Sequence, residues 1–149
     1  MNRHTVVGIL MLLAILGIGD SFYLAESAVT DTALVCDIEG LDGCNTVAQS
    51  PYSKLFGVPL GIYGLFFYGI ALVLLIALWI KPRRLFHHFF IVLSLFGACA
   101  SLLFLGLQLF VIQATCIYCI ASAIITFLMV PLSVFLYKRF TPDFPVVVP

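Results

Sequence analysis

Charged residues are scarce in this sequence. Only 9% of its 149 residues are charged, and its seven Lys and Arg balance its seven Asp and Glu to a net charge of zero at pH 7. A soluble domain of this length needs far more charged side chains to cover its surface. Nucleic-acid binding calls for an excess of positive charge, which is absent here. The composition therefore excludes an ordinary soluble domain and gives no basis for nucleic-acid binding.

The sequence also lacks the alternating ten-residue pattern of a membrane β-barrel. It has instead four apolar segments, in a chain that is 63% hydrophobic. Each segment has at least the roughly 20 residues that cross a hydrocarbon core of ~30 Å as a helix. The segments cover residues 5–25, 58–80, 85–112 and 117–137. The sequence thus predicts an all-α integral membrane protein: one domain over residues 1–149 that forms a four-transmembrane-helix bundle, with an outer loop over 26–57 that carries short helical pieces.

The first apolar segment also resembles a secretory signal peptide, because Arg3 precedes it and small residues follow it. Its apolar run is long for a signal sequence, however. Asp20, Tyr23 and Glu26 also crowd the region where cleavage would occur. We therefore expect this segment to be retained as the first helix of the bundle.

Basic residues are concentrated at one set of segment ends. Six of the seven Lys and Arg precede the first segment, join the second to the third, or follow the fourth. They are Arg3, Lys81, Arg83, Arg84, Lys138 and Arg139. The opposite ends have only Lys54, and the positive-inside rule assigns the basic side to the cytoplasm. We therefore expect both termini in the cytoplasm, and the 26–57 loop and the turn over 113–116 on the extracytoplasmic side.

Four of the five cysteines fall on that outer side, as two pairs. Cys36 and Cys44 flank an acidic, glycine-containing part of the loop, and Cys116 and Cys119 form a C-x-x-C pair at the start of the last apolar segment. Either pair alone could be a structural disulfide, and a C-x-x-C pair also occurs in metal sites. At one membrane surface, the two pairs together favour a relay, in which a loop thiol attacks the helix disulfide through a mixed disulfide.

The C-x-x-C pair has the position of a reactive dithiol. Thr115 is a plausible N-cap, so we expect Cys116 to open the last helix and Cys119 to lie one turn, ~4.5 Å, deeper. The dipole and the free N–H groups at a helix N-terminus favour the thiolate, which is the reactive form. The outer thiol can meet a polar partner while the deeper one faces a lipid-soluble molecule. We therefore prefer redox activity to a static disulfide or a packing role.

Three further positions are candidates for packing or chemistry. Cys99 lies in the middle of the third segment among small residues, and we interpret it as a packing residue. Ser50 precedes Pro51, which is the preferred start of a helix, although its hydroxyl could also donate to a substrate carbonyl. Asp20 is costly in an apolar segment; it could aid proton movement or reach the outer headgroups. We expect no metal site, because the outer side has no histidine to join the thiols.

The order of these residues resembles that of bacterial members of the vitamin K epoxide reductase family. The loop pair Cys36 and Cys44 is followed by Ser50, six residues after the second cysteine. Ser50 opens the stretch SPYSKLFGVPLG, and the pair Cys116-Ile-Tyr-Cys119 starts the last segment. The ordered set extends over residues 5–140 and is far more specific than any single motif.

The resemblance implies a four-helix bundle around a quinone, ubiquinone or menaquinone, which serves as the electron-accepting substrate. Cys119 then lies next to the quinone, Cys116 exchanges with Cys44, and Cys36 meets a thioredoxin-like partner. Ser50 is the hydrogen-bond donor to the quinone. The implied function is a quinone-linked thiol oxidoreductase of the bacterial inner membrane, which supports disulfide-bond formation by keeping an extracytoplasmic disulfide donor oxidised.

Two features distinguish this chain within the resemblance. Many bacterial relatives carry a fused thioredoxin-like domain, but this chain ends at Pro149 without one, so we expect a separate DsbA-type partner. Animal members have a Tyr four residues after the second C-x-x-C thiol, where this chain has Ala123. We therefore expect quinone reduction rather than epoxide reduction.

Two alternatives remain at this stage. A DsbB-type oxidase also has four helices and two thiol pairs, but its C-x-x-C pair lies in the first outer loop. The chain could instead be a non-enzymatic membrane scaffold or a metal-handling protein, whose cysteines are structural or bind the metal. Acid-quenched thiol trapping separates these classes, because a scaffold would show fixed disulfides only.

Overall fold

A computed structural model of the chain describes residues 2–36 and 43–140. Part of the predicted outer loop and the tail after Phe140 lie outside the described residues. In chain order the elements are α1 (Arg3–Thr30), α2 (Cys44–Gln49), a 3₁₀ turn (Pro51–Ser53), β1 (Lys54–Leu55), β2 (Val58–Pro59), α3 (Leu60–Ile80), α4 (Arg84–Gly106), a π-helical turn (Leu107–Ile112) and α5 (Ile117–Phe140).

Four helices are long and apolar enough to cross a membrane: α1, α3, α4 with its π-helical turn, and α5. Their outward faces carry large apolar side chains that a soluble protein would bury, such as Leu12, Phe66, Val92 and Phe96, all more than half exposed. Lipid tails are as apolar as these side chains, so the faces are stable in a bilayer. The prediction of an all-α, multi-pass membrane protein is confirmed.

The four long helices form a closed bundle. α1 packs against α3 and α5, and α4 packs against the same two helices. Small residues permit the closest approach, as expected in membranes: a Cβ at Gly61 of α3 would lie 2.6 Å from the backbone nitrogen of Ala25 in α1. The shared core consists mainly of aliphatic side chains with two aromatic ones: Val6, Val7, Leu10, Ala14, Tyr68, Ala71, Leu75, Leu78, Phe90, Ile125, Met129 and Leu136.

The first helix is longer than its apolar run. The prediction that the loop begins at residue 26 was wrong for 26–30, which continue α1 to Thr30. The Thr30 hydroxyl donates to the Glu26 carbonyl (2.8 Å), and Asp31, in the left-handed conformation, donates its N–H to the Ser27 carbonyl. Polar side chains interrupt the apolar sequence after residue 25, but the helical hydrogen bonds continue. α1 therefore extends past the predicted span into the region of the cysteine pairs.

Candidate redox site

The loop cysteines are joined to each other. Cys36 and Cys44 form a disulfide with a Cα–Cα distance of 6.2 Å. Cys44 is the first residue of α2 and has no exposed surface, whereas Cys36 is half-buried. The pair thus has a sheltered sulfur and a more accessible one.

The last helix begins one residue later than predicted, so that Cys116 precedes it instead of opening it. α5 starts at Ile117, and the Ile120 N–H donates to the Cys116 carbonyl at 3.1 Å, so Cys116 occupies the N-cap position that the sequence had assigned to Thr115. The Cys116 N–H donates to Gln108 Oε1 at 3.0 Å. This side-chain contact from the π-helical turn holds Cys116 outside the helix.

The Cys116 sulfur is prepared for nucleophilic attack. A hydrogen bond from the Cys119 side chain, together with the N–H groups of Cys119 and Tyr118, lowers the pKa of the Cys116 thiol to about 7 against the opposing effect of burial. Hydrogen bonds to the charged form favour the thiolate, and the thiolate is the species that attacks disulfides. These contacts therefore favour the nucleophilic thiolate form of Cys116.

The structure brings the two cysteine pairs together. Cys44 and Cys116 are both fully buried, in one cluster with Leu34. Together with Cys119 they line a small cavity of about 70 Å³. The Gly43 N–H donates to the Thr115 carbonyl at 3.1 Å, which joins the start of α2 to the segment before α5.

Gly43 is essential to this contact. A Cβ at this position would lie 2.8 Å from both the Ala114 Cβ and the Thr115 nitrogen, closer than real Cβ atoms approach. The absence of a side chain therefore allows Cys44, the next residue, to reach Cys116.

Side chains from three elements hold the segment before Cys36. Asn45 binds both backbone groups of Leu34, accepting from its N–H at 2.8 Å and donating to its carbonyl at 3.1 Å. The Val35 N–H donates to the Tyr23 hydroxyl (3.1 Å), and the Tyr118 hydroxyl donates to the Val35 carbonyl (2.7 Å). We call Tyr23, Asn45 and Tyr118 the loop clasp.

Sequence reasoning missed the loop clasp. Tyr23 has the position of a membrane-interface anchor, and Tyr118 is one of the two variable residues of the C-x-x-C pair. Their rings lie 5.0 Å apart, centroid to centroid. The one signal available was that Tyr118 separates the two thiols and therefore has to lie at the same surface as the loop.

A larger cavity of about 210 Å³ opens from Cys119 into the bundle. Its wall is mostly apolar and comes from all four long helices. On α5 it receives Cys119, Ser122 and Thr126, which share one helix face by their spacing. A cavity of roughly 150 Å³ holds a benzene molecule, so this one accommodates a substituted aromatic ring beside the Cys119 sulfur.

Ser50 lies at the rim of this large cavity. Its hydroxyl donates to the Val47 carbonyl at 2.7 Å and makes no capping bond to the 3₁₀ turn that follows. Both sequence interpretations of Ser50 therefore need adjustment: it precedes a Pro-initiated turn without capping it, and its proton is engaged elsewhere.

Asp20 also lines the large cavity, on the side of α1. Its Oδ2 atom is buried and has no hydrogen-bond partner among the described residues. This position disagrees with the interpretation in which the carboxyl reaches the outer headgroups, whereas a role in proton movement stays a prediction.

Cys99 does not belong to the site. It is exposed on α4 and lines neither cavity, so its interpretation as a helix-packing residue was wrong. Gly97, two residues earlier, makes the close contact instead, because the Phe67 ring fills the space where its Cβ would lie. Within residues 2–36 and 43–140, no group of three or more His, Cys, Asp or Glu side chains is arranged to hold a metal ion.

Known proteins are similar in sequence to most of this chain. Thiol-disulfide oxidoreductase LTO1 of Arabidopsis thaliana is 32% identical over 123 residues, which represent 77% of this chain and 32% of that protein. The chain thus spans about a third of the length of this relative. Residues 8–134, which include both cysteine pairs, match the model of the vitamin K epoxide reductase family. Since this match extends over most of the chain, the protein belongs to the vitamin K epoxide reductase family.

Proposed function

We propose that the protein is a quinone-linked thiol oxidoreductase. It takes electrons from a separate extracytoplasmic thioredoxin-like protein of the DsbA type through Cys36 and Cys44, passes them to Cys116 and Cys119, and delivers them to ubiquinone or menaquinone. The observation that carries this proposal is the burial of Cys44 and Cys116 in one cluster, while Cys119 lines an apolar cavity. Family membership and the thiol-disulfide oxidoreductase relative support the thiol chemistry.

Electron transfer is a series of disulfide exchanges. A partner thiolate attacks the half-buried Cys36, and Cys44 leaves as a thiolate. Cys44 then attacks Cys116 in a Cys116–Cys119 disulfide, and Cys119 leaves. The second partner thiol attacks the sulfur of the partner that is bound to Cys36, so the partner departs with its own disulfide. Cys36 finally attacks Cys44, which restores the loop disulfide and leaves Cys116 and Cys119 as a dithiol.

The dithiol then reduces the quinone at the large cavity. The ring would lie against Cys119, and its oxygens would need hydrogen-bond donors in a largely apolar wall. Ser50 is our proposed donor, because it lies at the rim of this cavity. A hydroxyl has a single proton to donate, so Ser50 would turn away from the Val47 carbonyl when the quinone binds.

Reduction of a quinone, rather than of an epoxide, fits the position after the C-x-x-C pair. Ala123 is 2% exposed and does not line the large cavity. It offers no hydroxyl of the kind that animal members carry at this position.

We further propose that the protein lies in a bacterial inner membrane, with the cysteine pairs on the extracytoplasmic side. Ring contacts join the ends far from the cysteines: His4 of α1 to Trp79 of α3 (4.6 Å between centroids) and His88 of α4 to Tyr137 of α5 (5.0 Å). The basic residues Arg3, Lys81, Arg83, Arg84, Lys138 and Arg139 cluster at these same ends. The positive-inside rule favours a cytoplasmic position for them.

The decisive experiment combines purified protein in lipid nanodiscs with a reduced DsbA-type protein and a short-chain ubiquinone or menaquinone. We expect one quinone reduced for each partner disulfide formed, followed by quinone absorbance and thiol titration. Cys36→Ala should block electron entry from the protein partner but spare entry from dithiothreitol, which reduces Cys116–Cys119 directly. A scaffold would reduce no quinone. Equal loss with both electron donors would contradict the proposed role of the loop pair.

A further inference from the structure

Of the residues that the structure describes, Asp20 is the one charged side chain in the wall of the large cavity. It lies on α1, roughly 15 Å from the outer end of that helix at a rise of 1.5 Å per residue. A carboxyl oxygen that is buried without a partner is costly, and its cost is greater still in a membrane span. Across residues 2–36 and 43–140, no Lys, Arg or His lines the cavity to offset the charge. Contacts with the described residues therefore do not explain why a carboxyl group is buried at this position.

Several other polar groups of the cavity already have hydrogen-bond partners. The Tyr68 hydroxyl lies 2.7 Å from Ser122 Oγ and donates to the Ser122 carbonyl at 3.1 Å. The Thr126 hydroxyl donates to the Ala123 carbonyl at 2.9 Å, and Ser50 donates to Val47. Among these groups, each proton already has an internal acceptor. Asp20 lines the same cavity and differs from these groups, because its Oδ2 has no hydrogen-bond partner among the described residues.

The geometry points to Asp20 as the residue that transfers a proton to the quinone in this cavity, an assignment that rests on the proposed function. A quinone takes up two electrons and two protons to become a hydroquinone. Closing the Cys116–Cys119 disulfide supplies the two electrons and releases two thiol protons. In an apolar cavity, one of these protons needs a carrier between sulfur and oxygen.

As the Cys116 sulfur bonds to Cys119 Sγ, two electrons pass to the quinone, and the Asp20 carboxylate takes the Cys119 proton and gives it to one quinone oxygen. The Cys116 proton leaves to water at the outer end of the site, and the other quinone oxygen takes up a proton from water. Asp20 is a carboxylate again at the end of the cycle.

The groups that face Asp20 agree with this role. Within the described part of the chain, the titratable side chains that line the cavity with Asp20 or interact with it are tyrosines and the C-x-x-C thiols: Tyr52, Tyr63, Tyr68, Cys116, Tyr118 and Cys119. Tyrosine hydroxyls hold their protons too firmly for transfer near pH 7. Asp20 is therefore the carboxyl through which a thiol proton can reach the ring.

The test compares Asp20→Asn, Asp20→Glu and Glu26→Gln in nanodiscs. Glu26 is the matched control, since it is an exposed carboxylate on the same helix that does not line the cavity. In single-turnover reduction of a short-chain ubiquinone by the pre-reduced protein, Asp20→Asn should be slower by about 100-fold or more, the usual contribution of a positioned acid or base. Asp20→Glu should stay within about tenfold of the unmodified protein, because it keeps a proton-transferring group. Glu26→Gln should not change the rate.

Two further measurements distinguish proton transfer from anchoring. Binding of the ubiquinone, followed by calorimetry, should be within about threefold for Asp20→Asn, since the apolar wall is unchanged. The infrared difference spectrum on quinone binding should contain a carboxyl band that Asp20→Asn removes and Glu26→Gln retains. Dithiothreitol should still reduce the Cys116–Cys119 disulfide in Asp20→Asn, and this reaction serves as the control that the variant is folded.

Each outcome decides one question. If the unmodified protein reduces no quinone, the proposed function fails and this assignment fails with it. If the unmodified protein is active and Asp20→Asn is equally fast, only the role of Asp20 is overturned. Loss of ubiquinone binding in Asp20→Asn, or an unchanged infrared band, would also overturn it in favour of an anchoring or structural role. If Asp20→Asn does not fold, Asp20→Glu decides, and an infrared carboxyl band that does not shift in this variant would overturn the role.

Discussion

Cys116 combines the properties that a nucleophilic thiol needs at a buried site. Its sulfur receives a hydrogen bond from Cys119, its backbone is held by Gln108, and it shares a cluster with Cys44. Cys99 has none of these contacts and is exposed on α4. The chemistry of the five cysteines is therefore decided residue by residue, by what each sulfur touches.

Replacing Cys119 by Ala should trap a Cys44–Cys116 disulfide. The Cys116 thiolate can attack Cys44 in the loop disulfide and release Cys36, and without Cys119 no neighbouring thiol of the helix pair resolves the product. Non-reducing digestion with mass spectrometry measures the link. Cys119→Ala and Cys116→Ala should both abolish quinone reduction, whereas Cys99→Ala should leave it within about twofold, as for most substitutions away from a site. Damage by Cys99→Ala as severe as that by Cys119→Ala would contradict the relay.

Alkylation of Cys116 should depend on pH with a midpoint near the lowered pKa of about 7. Because the thiolate reacts and the thiol does not, the rate rises as the pH passes upward through this pKa. Cys119→Ala removes the main hydrogen bond to the sulfur, so the midpoint should move up towards the ordinary thiol value of ~8.5. Iodoacetamide labelling in a background with Cys36 and Cys44 replaced by Ser measures both midpoints. A midpoint that Cys119→Ala leaves unchanged would disprove the hydrogen bond as its cause.

At the scale of the elements, the site depends on where α2 meets the segment before α5. Gly43 makes this contact, and the loop clasp holds the residues before Cys36. Among the described residues of the loop, side chains therefore position Leu34 and Val35. We expect this arrangement to let Cys36 react with the proposed partner while Cys44 stays near Cys116.

Gly43→Ala should impair the transfer between the two cysteine pairs. Its new Cβ would lie 2.8 Å from the Ala114 Cβ, so α2 must move away, and overpacking of this kind costs about 1–3 kcal/mol of stability. We expect slower formation of the Cys44–Cys116 link in the Cys119→Ala background, measured by quenched-flow mass spectrometry. Gly69→Ala is the control, because nothing lies within 4 Å of its Cβ position. Equal rates for the two variants would mean that the contact at Gly43 does not control the transfer.

At the scale of the whole molecule, the bundle separates two chemical ends. Six of the seven Lys and Arg lie at one end of the four helices, and both cysteine pairs lie at the other. The large cavity connects the cysteine end to the apolar interior. The proposed delivery of electrons from a water-soluble protein to a lipid-soluble acceptor requires such a connection.

The cysteine end should face outward in intact cells. A membrane-impermeant maleimide, added after mild reduction, should label Cys36 or Cys44 in whole cells, because six of the seven Lys and Arg favour the cytoplasm at the opposite end. A Cys engineered at Lys138 in a background without the native cysteines serves as the opposite control and should react only in broken membranes. Labelling of the loop pair only after lysis would reverse the proposed orientation.

The sequence by itself determined the four spans, their common side of basic residues and the order of the cysteines. Length and hydropathy suffice for these, since only a helix of about 20 apolar residues satisfies its backbone across a bilayer. The end of α1 was missed because Glu26, Ser27 and Thr30 interrupt the apolar run, although their helical hydrogen bonds continue.

Only the tertiary structure decided which side of each helix faces inward. In a membrane, the lipid-facing and core-facing sides are both apolar, so no amphipathic pattern reports the rotation of a helix. For this reason the sequence could not show that Cys99 faces out, that Asp20 shares a cavity with Cys119, or that Tyr118 reaches Val35. The meeting of Cys44 with Cys116 depends likewise on the packing of distant segments, through a hydrogen bond from Gly43 that no local pattern encodes.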